Sequence, residues 1–347
     1  MARIPSLAAV TAGIVALAAC SDANPNQPRI TTVPTASTQG QHLGIAPVRS
    51  PRGPLFENNG NELNHGEAKP GSGGPSTAAT GTGISYHGGP LLTSQTKVAA
   101  VYWASTAVYN GGPTPGTQGA GSSDGSLVGY FMAHLGGSPY FNINTTYYNS
   151  AGTHVANIVN YTQFWANNSY GVPASGANVS DSQMLSMLQY AFNNGKLTYD
   201  AGTLYAIFTK GTVNLGGGFG TQYCAYHSWG NVTVNGVVRS VLYAAMPDDY
   251  AKASACSSGA AAANGDPHAD AEVSVLAHEI EETTTDMNGN AWYDASGYEN
   301  ADKCAWTYGT TYTTSFGGVA NMRLGTRDFL VQRNWVNSGA GGCYLSW

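Results

Sequence analysis

The sequence predicts an α+β fold, with one globular domain over residues 83–347 in which helices pack on a mixed β-sheet. Segments with strand-like and helix-like patterns alternate irregularly along that range, and there is no internal repeat. Only 10% of the residues are charged, whereas 45 of the 347 are Gly and 21 are Tyr. This composition is typical of an exported protein whose surface is solvated by neutral polar groups. Four cysteines in the same range predict two disulfides, because export implies an oxidising compartment.

Residues 1–20 are predicted to be an export signal. Arg3 precedes an apolar run, residues 7–19, that is too short to span a membrane and ends at Cys20. The sequence LAAC, which ends at Cys20, resembles a bacterial lipoprotein processing site, where the cysteine would be lipidated. Plain cleavage near the paired alanines is the alternative. We therefore expect an exported protein, either a cell-envelope lipoprotein or a secreted protein, with no membrane contact beyond an N-terminal lipid anchor.

Residues 21–82 are predicted to be a disordered tether. They are rich in Pro, Gly, Asn, Thr and Ser and carry few large apolar residues, so they cannot bury enough surface to offset the entropy of ordering. The net charge is −6, and no run of Lys or Arg occurs anywhere in the chain. A nucleic-acid partner is therefore excluded from the expected functions.

Within the domain, several segments carry strand signals. Apolar runs rich in Val, Ile, Tyr, Phe and Trp are typical of buried strands or hairpins. They occur at residues 97–103, 140–149, 154–165, 203–209, 237–246 and 328–332. The run at 203–209 is apolar almost throughout, which predicts a central strand. Asn235-Gly236 predicts the tight turn of a hairpin that leads into residues 237–246.

Two helices are predicted from residues that typically begin or end a helix. Residues 126–135 predict a short helix that stops at a pair of glycines, Gly136 and Gly137. Ser180, with Gln183 three positions later, predicts a capping box, and apolar residues at helical spacing follow it as far as Gly195.

A third helix is predicted over residues 273–286 (VSVLAHEIEETTTD). At about 100° per residue, His278 and Glu282 lie within roughly 40° of each other, and Glu279 is about 100° from His278. Apolar residues gather on the far side of the helix, which predicts one packed face and one polar face.

The order His-Glu-x-x-Glu in this helix points to a metal site. It differs by one residue type from the His-Glu-x-x-His motif of zinc proteases, where ligands at i and i+4 share a helix face and the Glu between them is a general base. A carboxylate is also an acceptable zinc ligand. The pattern therefore predicts a zincin-like helix with His278 and Glu282 as metal ligands and Glu279 as the catalytic base.

A metal would need further ligands, and the acidic residues suggest where they are. Ten of the 20 acidic residues fall between residues 266 and 302, and Glu299 and Asp302 are the leading candidates. His227 is a possible additional ligand. Zinc is the expected metal, with Ca²⁺ or another divalent cation as the alternative. The alternative without a metal is a hydrogen-bonded structural pair, His278 with Glu282, on a degenerate zincin scaffold.

The four cysteines of the domain allow three pairings. We expect Cys224 to pair with Cys256 and Cys304 with Cys343, because each bond then closes a local loop of roughly 30–40 residues. The competing interpretation is a zinc site of four thiolates. It is disfavoured because the chain has no pair of cysteines at C-x2-C spacing.

Several short motifs, spread over residues 86–347, carry a family resemblance. They are YHGGPLLT (86–93), CAYH (224–227), HEIEET (278–283), AWY (291–293), ENADKC (299–304), NMR (321–323), FLVQ (329–332) and Trp335. Together they resemble the EXORDIUM / phosphate-induced protein family of plants. That resemblance implies a secreted cell-wall or apoplastic protein linked to growth, and it implies no established activity. The lipoprotein site and the long tether depart from the plant pattern and suggest a bacterial, surface-anchored relative.

Two classes of function follow. The first is a zincin-like metal-dependent hydrolase of the peptidase class, acting on an extracellular peptide. The second is a non-catalytic extracellular module that binds glycan or protein in cell-wall or growth-related signalling. For the second, Tyr102, Trp103, Trp292 and Tyr293 could line a groove on which sugars stack.

Overall fold

The centre of the fold is a seven-stranded mixed sheet. The computed structural model describes residues 43–47, 55–56, 81–211, 213–216 and 218–347. The strands are β1 Leu43–Pro47, β2 Leu55–Phe56, β3 Ser85–Tyr86, β4 Thr96–Trp103, β5 Gln118–Ala120, β6 Val159–Asn167, β7 Thr203–Thr209, β8 Tyr223–Val234, β9 Val237–Met246, β10 Trp292–Tyr293, β11 Thr307–Gly309, β12 Tyr312–Thr313, β13 Val319–Ala320, β14 Met322–Leu324, β15 Arg327–Phe329, β16 Asn334–Val336 and β17 Gly342–Tyr344. The helices are α1 Leu127–Leu135, α2 Asp181–Asn193, α3 Ala253–Cys256 and α4 Pro267–Asp286.

The order of strands in the sheet is β1-β8-β9-β7-β4-β6-β5. The four strands β6, β4, β7 and β9 are parallel, and they are flanked by antiparallel β8 on one side and antiparallel β5 on the other. β1 pairs antiparallel with β8 at the edge. The prediction of an α+β fold with a mixed sheet and helices is therefore confirmed.

Both faces of the central strands are buried, which explains their nearly continuous apolar sequence. In β4, Val98 and Ala100 point into one core while Ala99 and Val101 point into the other. The first core is closed by α1 and α4, and the second by α2. β7 is buried at all seven positions, as predicted for a central strand.

The two capped helices begin where the sequence predicts. Ser126 Oγ accepts from the Gly129 amide at 2.9 Å and starts α1. Ser180 and Gln183 form the capping box of α2, with the Ser180 amide donating to Gln183 Oε1 at 2.9 Å. The hairpin of β8 and β9 turns at Asn235, whose positive φ of 50° is adopted readily by Asn.

Three of the predicted strands differ from the structure, and one of these, predicted over residues 154–165, is β6 at Val159–Asn167. Residues 141–146 form a 3-10 helix, because Phe141 and Ile143 both turn into the first core and the Phe141 amide donates to Ser138 Oγ. The late strand is shorter than predicted. β15 ends at Phe329, and the following residues pack without continuing the β14–β15 ladder.

Both predicted disulfides are present. Cys224 in β8 pairs with Cys256 in α3 at a Cα–Cα distance of 5.4 Å. Cys304 pairs with Cys343 in β17 at 5.5 Å, which fastens the 3-10 turn Asp302–Cys304. The competing interpretation of four thiolates on one zinc is therefore wrong.

Two segments of the predicted disordered tether form strands in the structure. Residues 43–47 form β1 in the main sheet, and residues 55–56 form β2, which pairs in parallel with β11. Strand β8 of the main sheet supplies the hydrogen bonds of β1, and β11 supplies those of β2. The rest of residues 21–80, the export signal and Cys20 lie outside the described residues, so the tether, lipidation and export signal stay predictions. Within the part of the chain that the structure describes, no helix has both the length and the apolar character needed to cross a bilayer.

Candidate metal centre

The predicted ligands lie on α4, which starts six residues earlier than expected. Asp266 caps the helix by accepting from the Ala269 amide at 3.3 Å, and Pro267 occupies its first turn. The sequence predicted one packed and one polar face. Instead, every residue from Glu272 to Asp286 is buried. Strands β8 and β1 pack on the polar face, and Asp302 contacts Glu282 and His278 there. The carboxylates of this face therefore lie inside the molecule.

The first half of the site is formed by His278, Glu282 and Asp302. His278 Nε2 lies 2.9 Å from Glu282 Oε1 and 3.5 Å from Asp302 Oδ1. Glu282 Oε1 also accepts from the Asp302 amide at 3.0 Å, which ties the 3-10 turn to the helix. The three side chains are close enough to hold one ion.

The second half adds His227 from β8. Its Nδ1 lies 3.2 Å from Glu279 Oε2 and 3.7 Å from Glu282 Oε2, and its Nε2 lies 3.8 Å from Glu299 Oε1. Glu282 therefore belongs to both halves, with one oxygen in each. All six residues singled out by the sequence for metal binding and catalysis thus come together in the structure, although their roles stay predictions.

Two of the distances between side-chain atoms of the site match the spacing of ligand atoms around a bound metal. Two ligand atoms on a tetrahedral zinc, each about 2.0–2.2 Å from the metal, lie roughly 3.3–3.6 Å apart. The contacts His278–Asp302 and His227–Glu282 are 3.5 and 3.7 Å. Glu282 Oε2 and Glu299 Oε1 are buried with no hydrogen-bond partner among the described residues. Buried acceptors of this kind are rare unless an ion or water satisfies them.

The alternative without a metal is a hydrogen-bonded pair of His278 and Glu282. His278 Nε2 lies 2.9 Å from Glu282 Oε1, and the contacts with Glu282 and Asp302 raise the pKa of His278, although its ring N–H groups do not point along the hydrogen-bond direction towards these carboxylates. A purely structural pair would orient its N–H towards the carboxylate. The misaligned N–H groups are consistent with two side chains that face a common third partner.

No Lys or Arg of the described residues forms an ion pair with this cluster. Among the described residues, the ion pairs of Lys and Arg go to Asp200, Asp294 and Asp328, all outside it. Burial raises the pKa of Glu279 to about 8 and that of Glu282 to about 7. Burial also raises the pKa of Glu299 well above its usual value. Several carboxyl groups in one buried site cannot all ionise without a cation.

The two histidines respond to this environment in opposite directions. Burial lowers the pKa of His227, which is only partly offset by the charge of Glu282. Burial also lowers the pKa of His278, but Glu282 and Asp302 raise it by more, so it ends well above its usual value. The lowered pKa of His227 favours the neutral imidazole that a metal ligand requires, whereas the raised pKa of His278 means that a metal at this residue competes with a proton.

Behind the site, Glu281 holds the surrounding loops together. Its carboxylate is fully buried and accepts from the side-chain amides of Asn144 and Asn334, the latter at 2.6 Å. Asn300 donates to Asn144 Oδ1 at 3.2 Å, and it lies between Glu299 and Asp302 in sequence. The network thus fixes the segment that carries two of the candidate ligands.

A further pair of carboxyl groups lies nearer the start of α4. Glu272 and Asp249 are both fully buried, and burial raises the pKa of each well above its usual value. Glu272 Oε2 accepts from the Asp249 amide at 3.3 Å. Asp249 is buried because the 3-10 turn Asp249–Lys252 packs directly on α4.

Sequence reasoning missed these buried acids, although one signal could have found them. Glu272, Glu279 and Asp286 are spaced seven residues apart, and Glu282 lies between the last two. Such spacing places them along one face of a helix. A stripe of acidic residues with almost no Lys or Arg nearby in the sequence is unusual for a solvated helix face and is consistent with a buried one.

The aromatic residues proposed for sugar stacking do not form an exposed groove. Tyr102, Trp103 and Trp292 are buried in the cores, so that prediction is wrong for these three. Tyr293 is half-buried and stacks on exposed His87, with ring centroids 3.6 Å apart.

Comparison with known families adds one finding. The conserved region described as "Phosphate-induced protein 1 conserved region" matches residues 135–327, which is more than half of the chain. The chain belongs to this phosphate-induced protein 1 family. The resemblance seen in the motifs is therefore confirmed, and the matched region contains all six candidate site residues. No curated protein and no solved structure matches the chain.

Proposed function

We propose that this member of the phosphate-induced protein 1 family is an exported, zincin-like metal-dependent hydrolase of the peptidase class. Zinc, or another divalent cation, would be held by His278, Glu282 and Asp302, with His227 and Glu299 closing the site from the opposite side. Glu279 would be the general base. Two disulfides fit an extracellular protein, and the predicted lipid anchor at Cys20 would keep it at the cell surface.

One observation carries the proposal. Two imidazoles and four carboxylates converge in a fully or largely buried cluster, and two of its oxygens, on Glu282 and Glu299, have no hydrogen-bond partner among the described residues. Mixed nitrogen and oxygen donors suit zinc and neighbouring divalent metals. A cation would remove the repulsion between the carboxylates and use the unpaired oxygens.

The chain's own residues supply the remaining chemistry. When bound, a divalent ion would provide Lewis-acid polarisation and would activate water. As water adds to a peptide carbonyl carbon, Glu279 would accept its proton and then deliver that proton to the leaving nitrogen as the C–N bond breaks. The pKa of Glu279, raised to about 8 by burial, would fall beside a cation, so that Glu279 is ionised when needed.

The first test is the metal content of the purified full chain, measured by elemental analysis in buffer without chelator. We expect near-stoichiometric metal in the wild type and none after His278→Ala. The matched control is His134→Ala, which changes an exposed histidine on α1 and should leave the metal in place. A folded, metal-free wild type that also fails to take up added zinc would overturn the proposal.

The second test separates an enzyme from a binding module. Glu279→Gln keeps the size of the side chain and removes its base. We expect this variant to retain its metal and to lose hydrolysis of a panel of extended peptides. If no peptide or amide is hydrolysed by the metal-loaded wild type, the metal would be structural and the non-catalytic alternative would replace the peptidase.

A further inference from the structure

Strand β1 lies across the candidate metal centre although it comes from a distant part of the chain. It pairs antiparallel with β8, and Leu43 is opposite His227 in the register. It also packs on α4 and against the 3-10 turn Asp302–Cys304. These three elements carry the six candidate site residues or lie directly beside them, so β1 occupies the space in front of the site.

The backbone of β1 contacts the site directly. The amide of Ala46 donates to Glu279 Oε1 at 3.2 Å, and Ala46 is fully buried. Glu279 is the residue proposed above as the general base. An extended peptide backbone thus already rests on the group that would act on a peptide substrate.

The pairing has the features of strand addition and not those of a central ladder. Two register shifts interrupt the five residues of β1, and Pro47 ends it. β8 pairs along its other edge with β9 without interruption from Tyr226 to Val234. Without β1, residues 223–227 of β8 would present unpaired N–H and C=O groups beside the metal site. Such an edge is the binding surface used by proteins that capture extended peptides by strand addition.

We propose that residues 43–47 act as an internal inhibitory strand in a groove whose ligand is an extended peptide chain. The groove is bounded by β8, α4 and the turn at Asp302. The groove itself does not depend on the proposed function, but the inhibitory role does. Displacement of β1 would open the site to a peptide substrate that pairs with β8 in the same way. A strand held in cis competes at an effective concentration of about millimolar, so it would block weaker free peptides.

The test uses the full chain and a fluorescent peptide with the sequence of residues 40–50 (GQHLGIAPVRS). Ala46→Pro removes the amide that contacts Glu279 and weakens the pairing of β1. Ala120→Pro is the matched control, because it makes the same change in β5 at the opposite edge of the same sheet. By anisotropy, we expect the peptide to bind Ala46→Pro at least about tenfold more tightly than it binds the wild type or Ala120→Pro. Equal binding by all three folded proteins would overturn the inference.

A second experiment covers the case in which Ala46→Pro fails to fold. A site-specific protease sequence is inserted between Arg52 and Gly53 of the wild type, so that the N-terminal fragment carries β1 but not β2, and the folded chain is then cut. We expect the N-terminal fragment to dissociate on dilution and to rebind when added back, while the remainder keeps its melting transition. A fragment that leaves only when the remainder unfolds would show that β1 is an integral strand and would overturn the inference.

Failure of this inference can be distinguished from failure of the proposed function. Peptide binding is measured with and without chelator, and metal content is measured separately for each variant. A metal-free protein in which Ala46→Pro exposes a peptide site would support the groove and reject the hydrolase. A metal-loaded protein whose peptide affinity does not change would reject only the groove. If the groove exists and metal is bound, chelator should strip metal faster from Ala46→Pro than from Ala120→Pro.

Discussion

At the scale of single residues, the buried carboxyl groups of α4 control how stability depends on pH. Glu279 and Glu281 each have a pKa raised to about 8 from 4.5, because burial disfavours the charged form. Between these values the folded protein holds protons that the unfolded chain has already released. Stability therefore falls as the pH rises through this window. His278 acts in the same direction, since its raised pKa gives stability that is lost at high pH.

We therefore predict that the metal-free protein melts at a lower temperature at pH 8 than at pH 5. His227, whose pKa is lowered, opposes this trend, but it is one group against several. Zinc added at pH 8 should restore the melting temperature, because it binds only the folded state. Calorimetry of chelator-treated protein across this range is the measurement. A melting temperature that rises steadily from pH 5 to pH 8 would contradict the prediction.

Substitutions of Glu281 test how a buried carboxyl group and its hydrogen bonds contribute to the free energy of unfolding. Glu281→Ala would leave the buried amides of Asn144 and Asn334 without their acceptor, at a cost of about 2–4 kcal/mol of unfolding free energy. Glu281→Gln keeps an acceptor oxygen and avoids a buried charge, so we expect little loss or a small gain. Denaturant unfolding of both variants is the measurement. Equal losses in the two would show that the hydrogen bonds from Asn144 and Asn334 do not account for the contribution of Glu281 to stability.

At the scale of elements, the capping box of α2 fixes where that helix begins. Ser180→Ala removes the side-chain acceptor of the first turn and should cost about 1 kcal/mol of unfolding free energy. Ser186→Ala is the control, because Ser186 is exposed in the middle of the same helix and alanine is the better helix former. The two variants are compared by urea unfolding, and a Ser180→Ala loss no larger than that of the control would refute the role of the cap.

The sequences of α2 and α4 both predict one buried and one polar face, but the prediction is right only for α2. The sequence of α2 predicts a half-buried helix, and the structure places it on the sheet with its polar side outward. The sequence of α4 predicts a polar face of the same kind, yet that face is covered. The difference comes from β1, β8 and the turn at Asp302, which lie far from α4 in sequence or follow it after a long loop.

At the scale of the whole molecule, the two disulfides stabilise different parts of the candidate site. Cys224 lies in β8, which is also held by its ladder with β9, whereas Cys304 ends a short 3-10 turn that has no such support. Replacing either pair with serines should cost about 2–5 kcal/mol of unfolding free energy.

We predict that only the Cys304/Cys343 replacement also weakens metal binding, because it frees the turn that carries Asp302. Competition with a calibrated chelator would give the zinc affinity of each variant, and calorimetry would give the stability. Equal affinities in the two double variants would show that the turn is positioned by the Glu281 and Asn300 network alone.

The sequence by itself predicted the class of fold, the family and the disulfide partners, and it singled out the residues of the candidate site. These follow from local signals: the apolar runs of β4 and β7, the capping box at Ser180, the cysteine spacing, and the His-Glu-x-x-Glu pattern of α4. The helix and strand signals and the His-Glu-x-x-Glu pattern each depend on residues that are near one another in the chain, where periodicity and capping preferences act.

Only the tertiary structure decided the environment of those residues. It brought His227 within 3.2 Å of Glu279, buried the acidic face of α4, and laid residues 43–47 across it as a strand. These contacts join segments about 50 to more than 200 residues apart, so no local pattern encodes them. Their effect is large because a carboxylate moved from water into the protein interior must be protonated, hydrogen-bonded or paired with a cation. Burial turns an acidic helix face into a candidate metal centre.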